Sequence, residues 1–337
     1  MKFAHWLCAV ALGLILGADV QAEPVKLGVT IQVSTANPLG RNVADFKKAV
    51  EAASAGGLVI ELFDKAQRFV DFQVPQAVSS GAIEMGMAQI GLYAKDVPAV
   101  EIFQQPFLFD SDELTHAAAH PESEIRKLID AQLLERTGVR VLWWQPYGAT
   151  VVMSKNAPLS NPNAMQNRSI RAVDTVAAEF VTLCGGKPQV ISGSKMLDAL
   201  QTGKVDAVMT GVLGVQEREL WKETQYITRL KQSALLFLVI VNETVWQRLS
   251  AEHRELMVRE ARRVERDYWD SFAQDEANAY TFSMGKGLAV KEISGDDLAE
   301  WRVCSSDLVE RFVERLGDTA SSLMTAYGRL RAASCCK

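Results

Sequence analysis

The chain has 337 residues, with 36 basic and 41 acidic side chains, four histidines and five cysteines, and a net charge of −5. A chain of this length can bury an ample core and, as a prior, divides into about two domains of ~150 residues. The acidic balance and the lack of any long basic block exclude nucleic acid and an anionic membrane surface as natural partners.

In chain order, the first feature reads as an export signal. Lys2 supplies a positive start, Leu7 to Leu16 is apolar apart from small residues, and Val20-Gln21-Ala22 offers small side chains for a signal peptidase. Residues 1–22 are expected to be a signal peptide cleaved before Glu23. The apolar run is shorter than the ~20 residues a spanning helix needs, so the expected product is soluble and exported to the periplasm, without membrane insertion after cleavage. Removing the segment leaves 315 residues and the same net charge. Four cysteines remain, Cys184, Cys304, Cys335 and Cys336, in no zinc or redox spacing, and their connectivity is unreadable from sequence.

Strand and helix patterns then alternate, which predicts α/β layers and a largely parallel sheet. Val25–Val29 reads as a strand, 40–53 as a helix, Leu58–Phe63 as a strand, 74–80 as a helix and 84–88 as a short strand. Val139–Trp144 continues past Pro146-Tyr147-Gly148 into Thr150–Ser154, as a strand crossing between two lobes would, and Ala234–Val241 is a second such candidate. Two crossings imply two lobes sharing one cleft. Ala251–Met284 lacks proline and glycine and predicts a helix of about 51 Å at 1.5 Å per residue, either spanning both lobes or broken near Asp267.

The most informative stretch is 169–214. Arg171 stands alone in the apolar run Ile170-Arg171-Ala172-Val173, and a buried guanidinium needs an anion. Asp174, three residues on, points to the opposite face of a strand. The partner is therefore either a ligand or a distant Asp or Glu.

Enzyme chemistry is not indicated. No Gly-x-Ser-x-Gly elbow accompanies His116, His120 and His253, and Gly203-Lys204-Val205 lacks the rest of a phosphate loop. A metal-capture alternative rests on His116 and His120, four apart on one helix face, with Glu122, Glu124 or His253 as a further zinc ligand. Its plainer counterpart is a solvated helix ending before Pro121. No cofactor is implied.

A set of short motifs carries a family resemblance. These are Asn37-Pro38, Val74-Pro75-Gln76-Ala77-Val78 with Ser80 to Gly86, Pro106-Phe107-Leu108-Phe109, Ser169-Ile170-Arg171, Gly185-Gly186-Lys187-Pro188, Ala199 to Gly203 with Val205-Asp206, and Asn242 followed by Trp246 and Leu249. As a set, reaching to about residue 320, they resemble the extracytoplasmic solute-binding proteins of tripartite ATP-independent periplasmic (TRAP) transporters, the DctP type. The resemblance implies a two-lobed periplasmic binding fold, with crossing strands and a long helix bracing both lobes. Lobe I would comprise 23–148 and 236–268, lobe II 149–235 and 269–328, and 329–337 would be a disordered tail. It also implies that Arg171 pairs bidentately with a substrate carboxylate, and that membrane permease subunits receive the ligand for uptake.

Further ligand contacts are expected from Thr35, Asn37 and Gln67 of the first lobe, Tyr147 and Thr150 at the crossing, and Ser192, Met209, Thr210 and Gly211 beside Arg171. The chain departs from the family at Thr150, where many members carry a second arginine, and at Met209-Thr210-Gly211, where others carry an asparagine. Without that second cation the expected ligand is a monocarboxylate held by Arg171 at one end and by hydroxyl or apolar contacts at the other.

Overall fold

A computed structural model describes residues 23–334. The expected signal peptide, together with Cys335 and Cys336, lies outside that range. The described residues form eleven strands: β1 (Val25–Thr30), β2 (Leu58–Phe63), β3 (Met85–Gln89), β4 (Val139–Ala149), β5 (Val151–Ser154), β6 (Ser169–Ala172), β7 (Lys187–Val190), β8 (Ala207–Thr210), β9 (Tyr226–Arg229), β10 (Ala234–Asn242) and β11 (Ala289–Glu292). They build one sheet in the order β2-β1-β3-β10-β4 and another in the order β11-β9-β5-β8-β6-β7.

Both sheets are mixed, where a largely parallel arrangement was expected. β1 pairs in parallel with β2 and β3, but β10 runs antiparallel to β3 and β4. In the second sheet β5 runs antiparallel to β8 and β9. The exceptions have one origin: β5 and β10 each follow directly on a passage from one sheet to the other, with no crossover helix to reverse the chain.

β10 shows how the first sheet is filled. All nine of its residues are buried, and its alternation divides them between two cores. Leu236, Leu238 and Ile240 face the cluster containing Phe103, Phe109 and Trp144, while Leu235, Phe237, Val239 and Val241 face the one containing Phe46 and Trp143. A continuous apolar run is what a strand covered on both faces requires. The helix Pro38–Ala53 covers one face with Leu39, Val43, Phe46 and Val50, a helical spacing that starts behind the cap Asn37, whose side chain accepts from the Leu39 amide.

The helix Ala251–Gly285 is continuous for 35 residues, with no break at Asp267, and begins where Ser250 accepts from the His253 amide. At 1.5 Å per residue it runs about 52 Å. Leu256, Met257, Val264, Tyr268 and Phe272 pack into the first sheet's core, and Ala279 and Tyr280 against the second sheet's. One rod therefore touches both bodies.

The C-terminal region departs from expectation. Helices Ser306–Leu316 and Asp318–Ser334 return to the first sheet, where Phe312, Ala320, Leu323, Ala326 and Tyr327 join its core. Apart from Leu308, which joins the second sheet's core, the buried residues of 306–328 thus pack with the body assigned to lobe I, and 329–334 form the last turns of a helix instead of a disordered tail. The cause is an apolar stripe, Leu323, Ala326, Tyr327 and Leu330, at helical spacing. Tyr327 donates to the Leu108 carbonyl at 2.8 Å and Arg331 pairs with Asp110 at 3.2 Å.

Cys184 and Cys304 form a disulfide across 120 residues of chain, linking the end of the helix Thr175–Leu183 to the helix Gly295–Cys304 over the second sheet. The Cys184→Ser/Cys304→Ser double variant is expected to lose about 2–4 kcal/mol of stability, the usual effect of releasing a long closed loop. Urea unfolding of the oxidised protein and the variant measures it.

Candidate ligand-binding cleft

The chain passes from the first sheet to the second at Thr150 and back at 230–233. Thr150 is fully buried and joins the two passages. Its amide donates to the Ser233 carbonyl at 2.9 Å, its hydroxyl lies 2.7 Å from that of Ser233, and its carbonyl accepts from the Lys231 amide at 2.9 Å. Thr150 thus spends its hydroxyl on the crossing. Just before it, Tyr147 meets Phe237 edge-on at 5.3 Å, and the two form the floor of a cavity between the sheets.

Arg171 enters that cavity from β6. It is only 4 % exposed, and its Nε and Nη1 donate to the carbonyls of Ile191 and Met209 at 2.8 and 2.7 Å. It makes no ion pair with any described carboxylate. Asp174, the only acid near it in sequence, instead caps the helix Thr175–Leu183 by accepting from the Ala177 amide at 2.9 Å. Burial, then the neighbouring charge of Arg218, pulls the Arg171 guanidinium down to about 10. An anion in the cavity offsets both penalties.

Arg218 is the residue sequence reasoning missed. It follows the short helix Gly214–Glu217, donating its amide to the Gly214 carbonyl at 3.1 Å, is half-buried and lines the same cavity, and its guanidinium has no hydrogen-bond or ion-pair partner among the described residues. Gly193 makes room for it: a Cβ there would stand 2.3 Å from Arg218 Nη1. The second cation, absent at Thr150, is supplied from elsewhere in the fold. The Gly193→Ala variant is expected to displace that guanidinium and weaken ligand binding about tenfold while the thermal transition is kept, which titration calorimetry with a bound acid would show.

The remaining expected residues divide. Tyr147 and Thr210 line the cavity with Arg171. Met209 contributes its carbonyl to Arg171 while its side chain is in the core, and Gly211 lets Tyr147 pass, since a Cβ there would lie 2.5 Å from the Tyr147 carbonyl. Asn37 caps its helix and reaches the Leu213 carbonyl at 3.4 Å. Thr35 and Gln67 are exposed and both turn to Asp64, at 3.4 and 3.2 Å, outside the cavity. Besides Arg218 and Gly193, the lining includes Gln32, Asp71, Phe72, Gln89, Leu92, Val173, Leu235 and Phe237. Gln32 and Gln89 stand at or just beyond the carboxyl ends of β1 and β3, where α/β sheets place ligand contacts, and that position was readable in the sequence. The cavity is narrow, and past Phe72 and Leu92 it meets a groove of about 610 Å³ bordered by Gln76, Arg136 and Val190.

Direct ties hold the two bodies together around it. Asp71, on the first, accepts from the Ser192 hydroxyl and, at 2.8 Å, from the Gly193 amide on the second. The Ser34 amide donates to Glu217 in the opposite sense. Ser192, expected at the ligand, therefore spends its hydroxyl on Asp71. Asp71→Ala is expected to open the cleft of the ligand-free protein, read by small-angle scattering as an increased radius of gyration.

The metal alternative finds no site. The His116 ring stacks on Trp269 at 4.4 Å, His120 accepts from the Glu122 amide at 3.2 Å, and among the described residues no group of three potential ligands is placed to hold an ion.

A model of the bacterial extracellular solute-binding proteins, family 7 (DctP), matches residues 29–316. The chain belongs to this DctP family. Among DctP-family relatives, the C4-dicarboxylate-binding periplasmic protein DctP of Rhodobacter capsulatus is 24 % identical over 92 % of each chain. The sialic acid-binding periplasmic protein SiaP of Vibrio cholerae is 21 % identical over 97 % of this chain and 100 % of its own. Among solved structures, DctP7 of Bordetella pertussis, a solute receptor binding pyroglutamic acid, superposes with a TM-score of 0.85 at 21 % identity over 90 % of this chain and 99 % of its own. The sugar acid binding protein DctPAm of Advenella mimigardefordensis, in complex with galactonate, gives 0.86 at 19 % over 91 and 99 %. The DctP fold, two-lobed and α/β, is thus this chain's fold. Among the described residues no helix is long and apolar enough to cross a membrane.

Proposed function

We propose that this protein is a periplasmic solute receptor of a TRAP transporter, which captures a small organic acid between its two bodies and hands it to membrane permease subunits. The observation that carries the reading is Arg171: buried, fixed by two carbonyls, lining the cavity, and unpaired with any described carboxylate. Its remaining donors suit a carboxylate, and a planar guanidinium holds one through two parallel hydrogen bonds. Arg218 reinforces the positive field from a second direction. The relatives support the ligand class, since those named above bind a dicarboxylate, sialic acid, pyroglutamic acid and galactonate.

The reading is capture without chemistry. Among the described residues the lining holds no histidine or cysteine, and its one carboxylate, Asp71, is engaged by the Ser192 hydroxyl and the Gly193 amide in the tie between the bodies. The acid enters a hydrated open cleft and settles on the floor of Tyr147 and Phe237, Arg171 engages it from the second body, and the Asp71 tie closes over it. Closure lowers the local dielectric and strengthens the ion pair. The closed form presents a joint surface of both bodies to the permease.

Arg171→Met is expected to weaken acid binding about 100-fold or more, the effect of removing one member of a buried charge pair, while the protein still folds cooperatively. Thermal-shift screening with carboxylates, zinc and neutral sugars, followed by calorimetry on both proteins, measures this. Undiminished carboxylate binding by Arg171→Met would reject the assignment.

A further inference from the structure

Resting on the carboxylate reading, we propose that closure of the cleft on its acid is coupled to the uptake of a proton by Asp174, which then fastens the second body to the first by donating to a glutamine carbonyl. The proton comes from solvent, settles on Oδ2 and leaves again when the bodies part.

Asp174 stands where the second body meets the first. Its Oδ1 stays within its own body, accepting from the Ala177 amide at 2.9 Å as the cap of Thr175–Leu183. Its Oδ2 reaches across to the turn Ile90–Tyr93 and fits a notch that Gly91 keeps open: a Cβ there would stand 2.6 Å from that oxygen, 2.0 Å from Gln104 Nε2 and 2.9 Å from Gln89 Oε1. Asp174 is 5 % exposed, Gln104 2 % and Gln89 8 %. This dry notch is poor in donors. Gln89 Nε2 gives Asp174 one long hydrogen bond of 3.5 Å, the Gln104 amide bonds to no described residue at either end, and Gln89 Oε1 accepts from none. An ionised carboxylate there is desolvated against two amide oxygens that lack donors. A protonated one supplies a donor to either.

The surrounding charges favour the same exchange. Burial pushes the Asp174 carboxyl up from its ordinary value, against the Ala177 amide and the Arg171 cation, which favour the ionised form. From the first body Glu101, paired with Arg315, opposes that form, and Glu179 lies on Asp174's own helix. Tyr93, Lys95, Asp96 and Arg136 share the groove beside it. An acid bound at Arg171 cancels the field of that cation, so the acid and the proton each strengthen the binding of the other, by the same factor in both directions. When the bodies part, Gly91, Gln89 and Gln104 withdraw and the cap returns to the ordinary aspartate range of about 3.9. The closed-form carboxyl thus lies above the open-form one. Closure gains as pH falls through the closed-form value, and the gain is lost as pH rises past it.

The other carboxylates that tie the bodies serve as controls. Asp71 has the Ser192 hydroxyl and the Gly193 amide as donors. Glu217 accepts from the Ser34 amide while its Oε2 has no partner among the described residues, which makes it the rival site for a proton.

The test is calorimetry with pyroglutamate and galactonate, the acids bound by DctP7 and DctPAm, in paired buffers of unlike ionisation enthalpy from about pH 7.5 down to about pH 5, where both probes stay ionised. Wild type is expected to bind with a net proton uptake that grows as pH falls, and with an affinity that rises about two- to tenfold over the range. Asp174→Asn keeps a helix cap and carries its own N–H donors into the notch. It is expected to bind at every pH about as tightly as wild type does at the lowest, without uptake. Glu217→Gln is expected to keep the uptake.

Binding by wild type without uptake at any pH, or uptake that survives Asp174→Asn, overturns the inference. If neither acid binds, small-angle scattering of the ligand-free protein over the same range decides: a radius of gyration that falls with pH in wild type and stays constant in Asp174→Asn upholds it, and the same profile in both overturns it. Arg171→Met judges the carboxylate reading separately. If that variant loses the acids while wild type binds them without uptake, only the proton coupling fails.

Discussion

Two short lengths of backbone, at Thr150 and at 230–233, must let two sheets face one another without letting them drift apart. Thr150 and Ser233 meet this constraint through backbone and hydroxyl hydrogen bonds buried at the crossing, so neither passage can move without the other. The 35-residue helix adds a rigid rod packed against both bodies. A relative movement of the bodies is thereby reduced to rotation about the crossing, the hinge arrangement in which a few element-terminal residues absorb the change. Tyr147, Leu235 and Phe237 lie beside that axis, so the floor of the cavity moves least while its walls approach.

On this frame the cleft is an electrostatic device with unequal halves. The second body brings both cations, Arg171 on a strand and Arg218 after a short helix, while the first brings Asp71, Gln32 and Gln89. Taking a guanidinium out of water costs several kcal/mol when nothing compensates. Two backbone carbonyls offset part of that for Arg171, and an incoming anion would supply the rest.

How far this was legible in the sequence depended on the range of the forces involved. Local patterns were enough for β2, for the helix behind Asn37 and for the long helix, because periodicity and capping act within a few residues. Arg171 was legible because a lone charge in an apolar strand is an anomaly at any range. Arg218 was not, since nothing in Gln216-Glu217-Arg218-Glu219 distinguishes it from a solvated surface; only the approach of Gly193, distant in sequence, makes it a cavity residue. Thr35 and Gln67 failed in the opposite way: loop position suggested the mouth, but Asp64 lay within reach of both. The end of the last helix, 329–334, reads as a tail and the rest of it as part of lobe II because its apolar stripe packs against residues some two hundred positions earlier.

That return of the C-terminal helices has a consequence for the order in which the molecule can assemble. The first sheet's core draws on Val74 and Ile83 near one end of the chain and on Phe312, Leu323 and Tyr327 near the other, so this body cannot finish packing until almost all of the polypeptide is present. The second sheet lies within 151–292, and its disulfide closes at Cys304. Every residue it needs is available earlier. A chain made from its amino end would thus hold its first half without the surface that the last two helices supply. The last two helices are the closure that completes the first body.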